Sequence, residues 1–179
     1  MRIPLFAAAL VSTAALLSFS ASAQQTGGGT PPQPAAPQQQ AAPPAPPTPY
    51  GLPIDLALAR KAADAAVAKA KQTGFPSGIA IVDPAGELVF FEKMDNANNS
   101  VVELAQKKAR SAAGFRRPTK LFEDNLSRPV ITQLGVTAVG GGIPIVIKGH
   151  VVGAIGASGA PTSDGDIAAA QAGIDAITK

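Results

Sequence analysis

Apolar positions follow two different periods along this chain. Over residues 56–71, Leu56, Ala59, Ala63, Ala66, Val67 and Ala70 recur on one face and Lys61, Asp64 and Lys71 fall elsewhere, which predicts an amphipathic helix. Asp55 stands at the expected N-cap and Gly74 at the expected stop. The period then shortens to two. Residues 77–83 (SGIAIVD) and 87–95 (ELVFFEKMD) read as strands. Between them, Asp83-Pro84-Ala85-Gly86 has the proline and glycine of a type I turn, so the pair is an antiparallel hairpin.

A second helix is predicted over 100–114. Ser100 and Glu103 have the spacing of a capping box, and Gly114 is the expected stop. Lys107, Lys108 and Arg110 occupy the half of the helix where cations complement the dipole. Residues 117–125 suggest a short helix or turn, and 128–135 carry no clear period. Residues 143–158 form the clearest hairpin: Ile143, Ile145 and Ile147 alternate, Lys148-Gly149 marks the turn, and Val151, Gly153, Ile155 and Ala157 share a face of the return strand. Ser163-x-x-Asp166 opens a last helix carrying Ile167, Ala170, Ile174 and Ile177, whose N-terminus accounts for Asp164 and Asp166. Strand pairs separated by helices predict an α+β domain with one mostly antiparallel sheet covered by helices.

Composition changes the picture at the start of the chain. Residues 1–23 have the layout of a secretory signal peptide: Arg2, an apolar run from Ile3 to Phe19, and a small-residue cleavage site, Ala21-Ser22-Ala23. The expected location is periplasmic or secreted, with no membrane span after cleavage. Residues 24–49 hold nine of the seventeen prolines and six glutamines, with no charge and no aliphatic side chain larger than alanine. Such a segment cannot bury enough apolar surface to offset its ordering entropy, so a flexible or polyproline II tether is expected. Residues 50–179 are enough for one domain with its own core. The chain has no cysteine, which excludes a disulfide framework, a lipid-bearing cysteine, zinc–thiolate and iron–sulfur sites, and a cysteine nucleophile. Packing or oligomerisation must hold the fold.

Candidate chemistry is sparse. The sole histidine, His150, lies beside a turn with no acid near it in sequence; a metal or haem-iron ligand is one reading of it, and a solvated turn residue is the one preferred. A Ser/His/Asp triad would need it, and nothing else supports one. Gly140-Gly141-Gly142 precedes a strand, whereas a phosphate loop follows a strand and opens a helix. These glycines, with Gly153, Gly156 and Gly159, instead predict an unusual backbone path or the close approach of a helix, a flat ligand or a neighbouring subunit. Lys107, Lys108, Arg110, Arg116, Arg117 and Lys120 lie within fourteen residues that contain no acid. One reading is a solvated basic face. The other is a site for an anion, because arginine forks carboxylate or phosphate. Phe115 and Phe122 flank the arginine pair, which suits a flat apolar ligand bearing carboxylates. Nucleic acid fits less well, since the patch is short, aromatics are few and the net charge is only +3.

Three separated blocks, GFPSGIAIVDPAGELVFFEKMDNA, KKARSAAGFRRPT and GGGIPIVIKGHVVGAIGASGA, resemble in order the GlcG/HbpS-type family, described as haem-binding or haem-degrading. The resemblance spans roughly residues 55–178. It implies a profilin-like antiparallel sheet of about five strands flanked by helices, homo-oligomeric assembly, and haem or a related tetrapyrrole as ligand. For exported relatives it implies haem capture, haem degradation or redox sensing with an envelope sensor partner. Lys108, Phe115, Arg116, Pro118 and Thr119 match the family pattern. The resemblance makes Thr119 the candidate weak iron ligand and Arg116 or Arg117 the propionate partner. Arg110 replaces an aromatic common in relatives, and His150 matches no family position. Any turnover would rest on bound haem and peroxide. The alternatives are an oligomeric interaction or sensor-accessory module without haem, and a small-molecule-binding domain of glycolate-type metabolism.

Overall fold

The computed structural model describes residues 45–179. The expected signal peptide (1–23) and the expected tether up to residue 44 lie outside the described residues. Helix α1 (Leu56–Thr73) starts where Asp55 accepts a hydrogen bond from the Leu58 amide and stops at Gly74, which is left-handed at φ 77°. Strands β1 (Gly78–Val82) and β2 (Leu88–Lys93) are joined by the expected turn, closed by the Gly86 amide on the Asp83 carbonyl. The Asp83 carboxylate also accepts from the Ala85 and Glu87 amides. Helix α2 (Ser100–Phe115) follows, then two short helices, α3 (Lys120–Glu123) and α4 (Pro129–Gln133). Strands β3 (Gly142–Ile147) and β4 (His150–Ser158) form the second hairpin, and α5 (Ser163–Thr178) ends the fold. Lys148 and Gly149 both have positive φ, as a two-residue hairpin loop requires.

One sheet results, in the order β2-β1-β4-β3, with every neighbouring pair antiparallel. The described residues thus give four strands where about five were expected. The nearest thing to a fifth is the stretch 49–54, which takes the side of β4 that β1 vacates beyond Ala154. There Gly51 donates to Val151, Val151 to Pro49, and Ile54 to Val152. Pro49 and Pro53 have no amide hydrogen to continue a ladder, so the segment makes only the isolated bridge Tyr50–Val151.

The two faces of the sheet differ in kind. Ile79, Ile81, Ile145 and Ile155 point to the side covered by α1 and α5, and all four are fully buried. Each such side chain contributes about 1.5–3 kcal/mol by leaving water, so this face supplies most of the hydrophobic stabilisation. The other face presents Ala80, Val82, Ala154 and Gly156 to Ala105, Ala109, Ala112 and Ala113 of α2. A Cβ on Gly156 would overlap the Ala105 carbonyl, so α2 rests directly on the strand backbone. The close approach expected at this glycine is therefore made by a helix.

The signals at both ends of α2 act differently from their sequence reading. Asn99 precedes α2 and makes no side-chain cap; Ser100 bonds Asn98 and Glu103 pairs with Lys107 at 2.7 Å, so the capping box does not form. Nor does Gly114 end α2. The helix runs through it, and Arg116 takes the left-handed position at φ 53°. The Arg116 and Arg117 amides return to the Ala113 and Ala112 carbonyls, which is a Schellman motif built on an arginine.

Candidate functional site

The basic run at the end of α2 divides into three environments. Lys108 points inward from the small-residue face of α2. It is fully buried, bonds Asp166 of α5 at 2.6 Å and donates to the Ala157 carbonyl at 3.1 Å. Asp166 accepts the Ala160 amide with its other oxygen, so both charges are paired. Asp166 therefore serves as the counter-ion of Lys108, a role beyond the helix-end placement expected for it.

Arg116 is the second case. A left-handed backbone costs a non-glycine residue about 1–2 kcal/mol, so something must hold it there. Its guanidinium lies 4.9 Å from the centre of the Tyr50 ring and donates to the Thr48 carbonyl. The Tyr50 hydroxyl in turn donates to the Ala113 and Gly114 carbonyls, each at 3.0 Å. Arg116 thus fastens residues 48–50, two of which composition assigns to the tether, to the end of α2. Its Nε is buried without a partner.

Arg117 is the third case, and it is exposed. With Leu121, Phe122, Asn125, Arg128 and Ile131 it lines a cavity of about 160 Å³. Phe115 packs edge-on against Phe122, with centroids 5.2 Å apart, and Pro118 is exposed beside it. Leu121, Leu126, Val130 and Leu134 along the same segment are each more than two-fifths exposed.

Thr119 lies behind this corner and has no exposed surface. Its hydroxyl donates to the Val139 carbonyl at 2.7 Å and accepts from the Gly142 amide at 2.9 Å, while its own amide bonds the Gly142 carbonyl. The oxygen expected to face iron is thus engaged by the backbone that leads into β3. That backbone needs its glycines: Gly141 has φ 112°, and a Cβ on Gly142 would overlap the Lys108 carbonyl.

Glu123 completes the same support. One carboxylate oxygen accepts from the Gly140 amide and the Ser163 hydroxyl, both at 2.6 Å, and the other meets Lys120 at 3.3 Å. The Ser163 hydrogen bond, then that from Gly140, holds the Glu123 carboxyl below its ordinary value near 4.5. Glu123, Tyr50 and Arg128 carried no signal in the sequence, and Asp166 only that of a helix start, because each acquires its role from a partner or cavity that only folding brings together. His150 lies at the hairpin turn, exposed, with Nδ1 3.0 Å from the Lys148 carbonyl. It borders an open groove of about 660 Å³ shared with Tyr50, Leu52, Ile147 and Val152.

Fold and corner together define a small α+β domain whose single antiparallel sheet carries a cationic, apolar site at one helix end. The chain belongs to the HbpS-like family, described as haem degrading protein HbpS-like, whose model matches residues 54–175. It is 32% identical over 93 residues to Protein GlcG of Escherichia coli K12, across 50% of this chain and 69% of that protein. A double mutant of HbpS from Streptomyces reticuli has the same fold with a TM-score of 0.68 at 31% identity, over 79% of this chain and all of that one. The haem complex of PduOC aligns with a TM-score of 0.65 at 28% identity, over 70% of this chain and 96% of that one. No helix among the described residues is long and apolar enough to cross a membrane.

Proposed function

We propose that this chain is an exported haem-binding protein that receives the tetrapyrrole at the corner where α2, α3 and α4 meet. The observation that carries the reading is the open Arg117 guanidinium beside Phe115, Pro118 and Leu121. Among the described residues it has no acid partner, and its cavity is walled by Leu121, Phe122 and Ile131. The haem-degrading description of the family and the likeness to a haem complex support it.

The residues fit such a ligand in part. A cavity of about 160 Å³ admits a carboxylate and is below the roughly 300–1,000 Å³ of sites that enclose a whole small molecule. The macrocycle would therefore lie against the exposed apolar side chains, and a second copy of the chain is the natural cover for its other side. Iron of a bound haem supplies redox chemistry, which a protein tunes through axial ligation and pocket polarity. Here the Thr119 oxygen becomes available to iron only when Val139 and Gly142 release it. Binding then rests on carboxylate pairing and apolar contact, with weak axial ligation. Lys108 does not reach the ligand; it fixes the depth of α2.

Hemin titration of the purified chain tests this. A saturable Soret shift at micromolar hemin is expected, and its absence overturns the reading in favour of an interaction module without haem. His150→Ala should leave the shift unchanged; its loss would move the site to the groove beside His150. Fractionation of expressing cells tests export. Peroxide-dependent loss of the Soret band tests degradation, and a salt-dependent pull-down from the cell envelope tests an acidic sensor partner.

A further inference from the structure

The carboxylate end of the corner holds more than its exposed Arg117. Arg128 lines the same cavity from the start of α4, and both arginines are exposed. Among the described residues neither guanidinium has an ion-pair or hydrogen-bond partner. The acids that could neutralise them are already committed. Glu123 is held by Gly140, Ser163 and Lys120, and Asp124 is paired with Lys120. Two like charges thus share one small cavity with no counter-charge, above the apolar floor of Phe122 and Ile131, both buried. An anion placed between the two would be drawn by both.

We infer that Arg117 and Arg128 form a two-armed clamp for one carboxylate of a flat, apolar ligand. The partner of Arg117 in this task is Arg128, not its neighbour Arg116, whose guanidinium is stacked on Tyr50 and bonded to Thr48. Each guanidinium offers paired N–H donors in a plane, so two can hold the two oxygens of a single carboxylate. The apolar floor excludes a small hydrated anion in favour of a carboxylate carried on a hydrophobic body. This inference rests on the haem reading above and adds to it the group that the cavity selects.

The test compares hemin with hemin dimethyl ester, in which both propionates are masked, on the full chain by Soret titration. Wild type should bind hemin at least tenfold more tightly than the ester, and the gap should narrow as ionic strength rises. Arg128→Ala and Arg117→Ala should each weaken hemin about as much as the other and leave ester affinity unchanged. Lys61→Ala, on exposed α1 surface, should change neither. Circular dichroism confirms that the variants fold. Hemin binding that is intact in Arg128→Ala, or an ester that binds wild type as well as hemin does, overturns the clamp while the haem reading stands. Wild type that binds neither porphyrin overturns both.

Discussion

Lys108 and Arg117 sit nine positions apart in one acid-free stretch, yet they behave as opposites. Lys108 is sealed between α2, β4 and α5 with a carboxylate at 2.6 Å, and Arg117 opens on a cavity with no acid at all. Burial decides the difference. A charge taken out of water must find its counter-ion inside the protein, whereas an exposed charge keeps its hydration until a ligand arrives. The first kind of cation holds the fold and the second kind is available for recognition. A run of positive residues therefore says little until each side chain is placed.

The comparison can be broken most strongly at its sealed end. Lys108→Met leaves Asp166 buried without a counter-ion and should cost about 3–5 kcal/mol in urea unfolding. A cost below about 1 kcal/mol would mean that the pair is not sealed in solution. Lys108→Met combined with Asp166→Leu should recover much of the loss, because no lone charge remains. Thr119→Val should cost about 1–3 kcal/mol by stranding the Val139 carbonyl and the Gly142 amide. If hemin binds this variant with an unaltered Soret band, Thr119 is a support and not a ligand.

Glu123 provides a pH handle on the same support. Its folded pKa is lowered, so its contribution is present above its unfolded value and is lost as pH falls through the folded one. Glu123→Gln should be less stable than wild type near neutral pH, and the gap should close on acidification below about pH 4. A gap that does not change with pH would show that the carboxylate charge plays no part. Arg117→Ala, at the open end, should change stability by no more than about 0.5 kcal/mol while weakening hemin. Equal losses of stability at Arg117 and Lys108 would erase the distinction.

Local features of this fold were legible in the chain. Asp55 caps α1, Gly74 stops it, the Asp83–Gly86 turn closes as its residues dictate, and Lys148-Gly149 turns the second hairpin. Each depends on contacts within a few residues. Failures came where a local rule met a stronger partner nearby: Ser100 found Asn98, Glu103 found Lys107, and Gly114 yielded to Arg116. At the corner, the run of basic residues was legible as a cluster but the partner of each side chain was not. Lys108 meets Asp166 across 58 residues and Arg116 reaches Thr48 across 68, and no spacing rule spans such distances. The stretch 49–54 falls short of a fifth strand for a simpler reason, since prolines 49 and 53 remove the donors a ladder needs.

The seam between α2 and β4, made of alanine and glycine, has a consequence for how this protein can vary. Alanine scanning passes over it blind, because there is almost nothing to truncate. The changes open to it add atoms, and at Gly156, as at Gly142 on neighbouring β3, the added atom meets backbone that cannot step aside. The seam thus acts as a gauge more than as a glue: it sets how deep the helix lies, and the helix carries Lys108 in its middle and the arginine corner at its end. Variation there is a one-way street, so change should accumulate instead at exposed positions such as Leu121, Leu126, Val130 and Leu134, where side chains still have room.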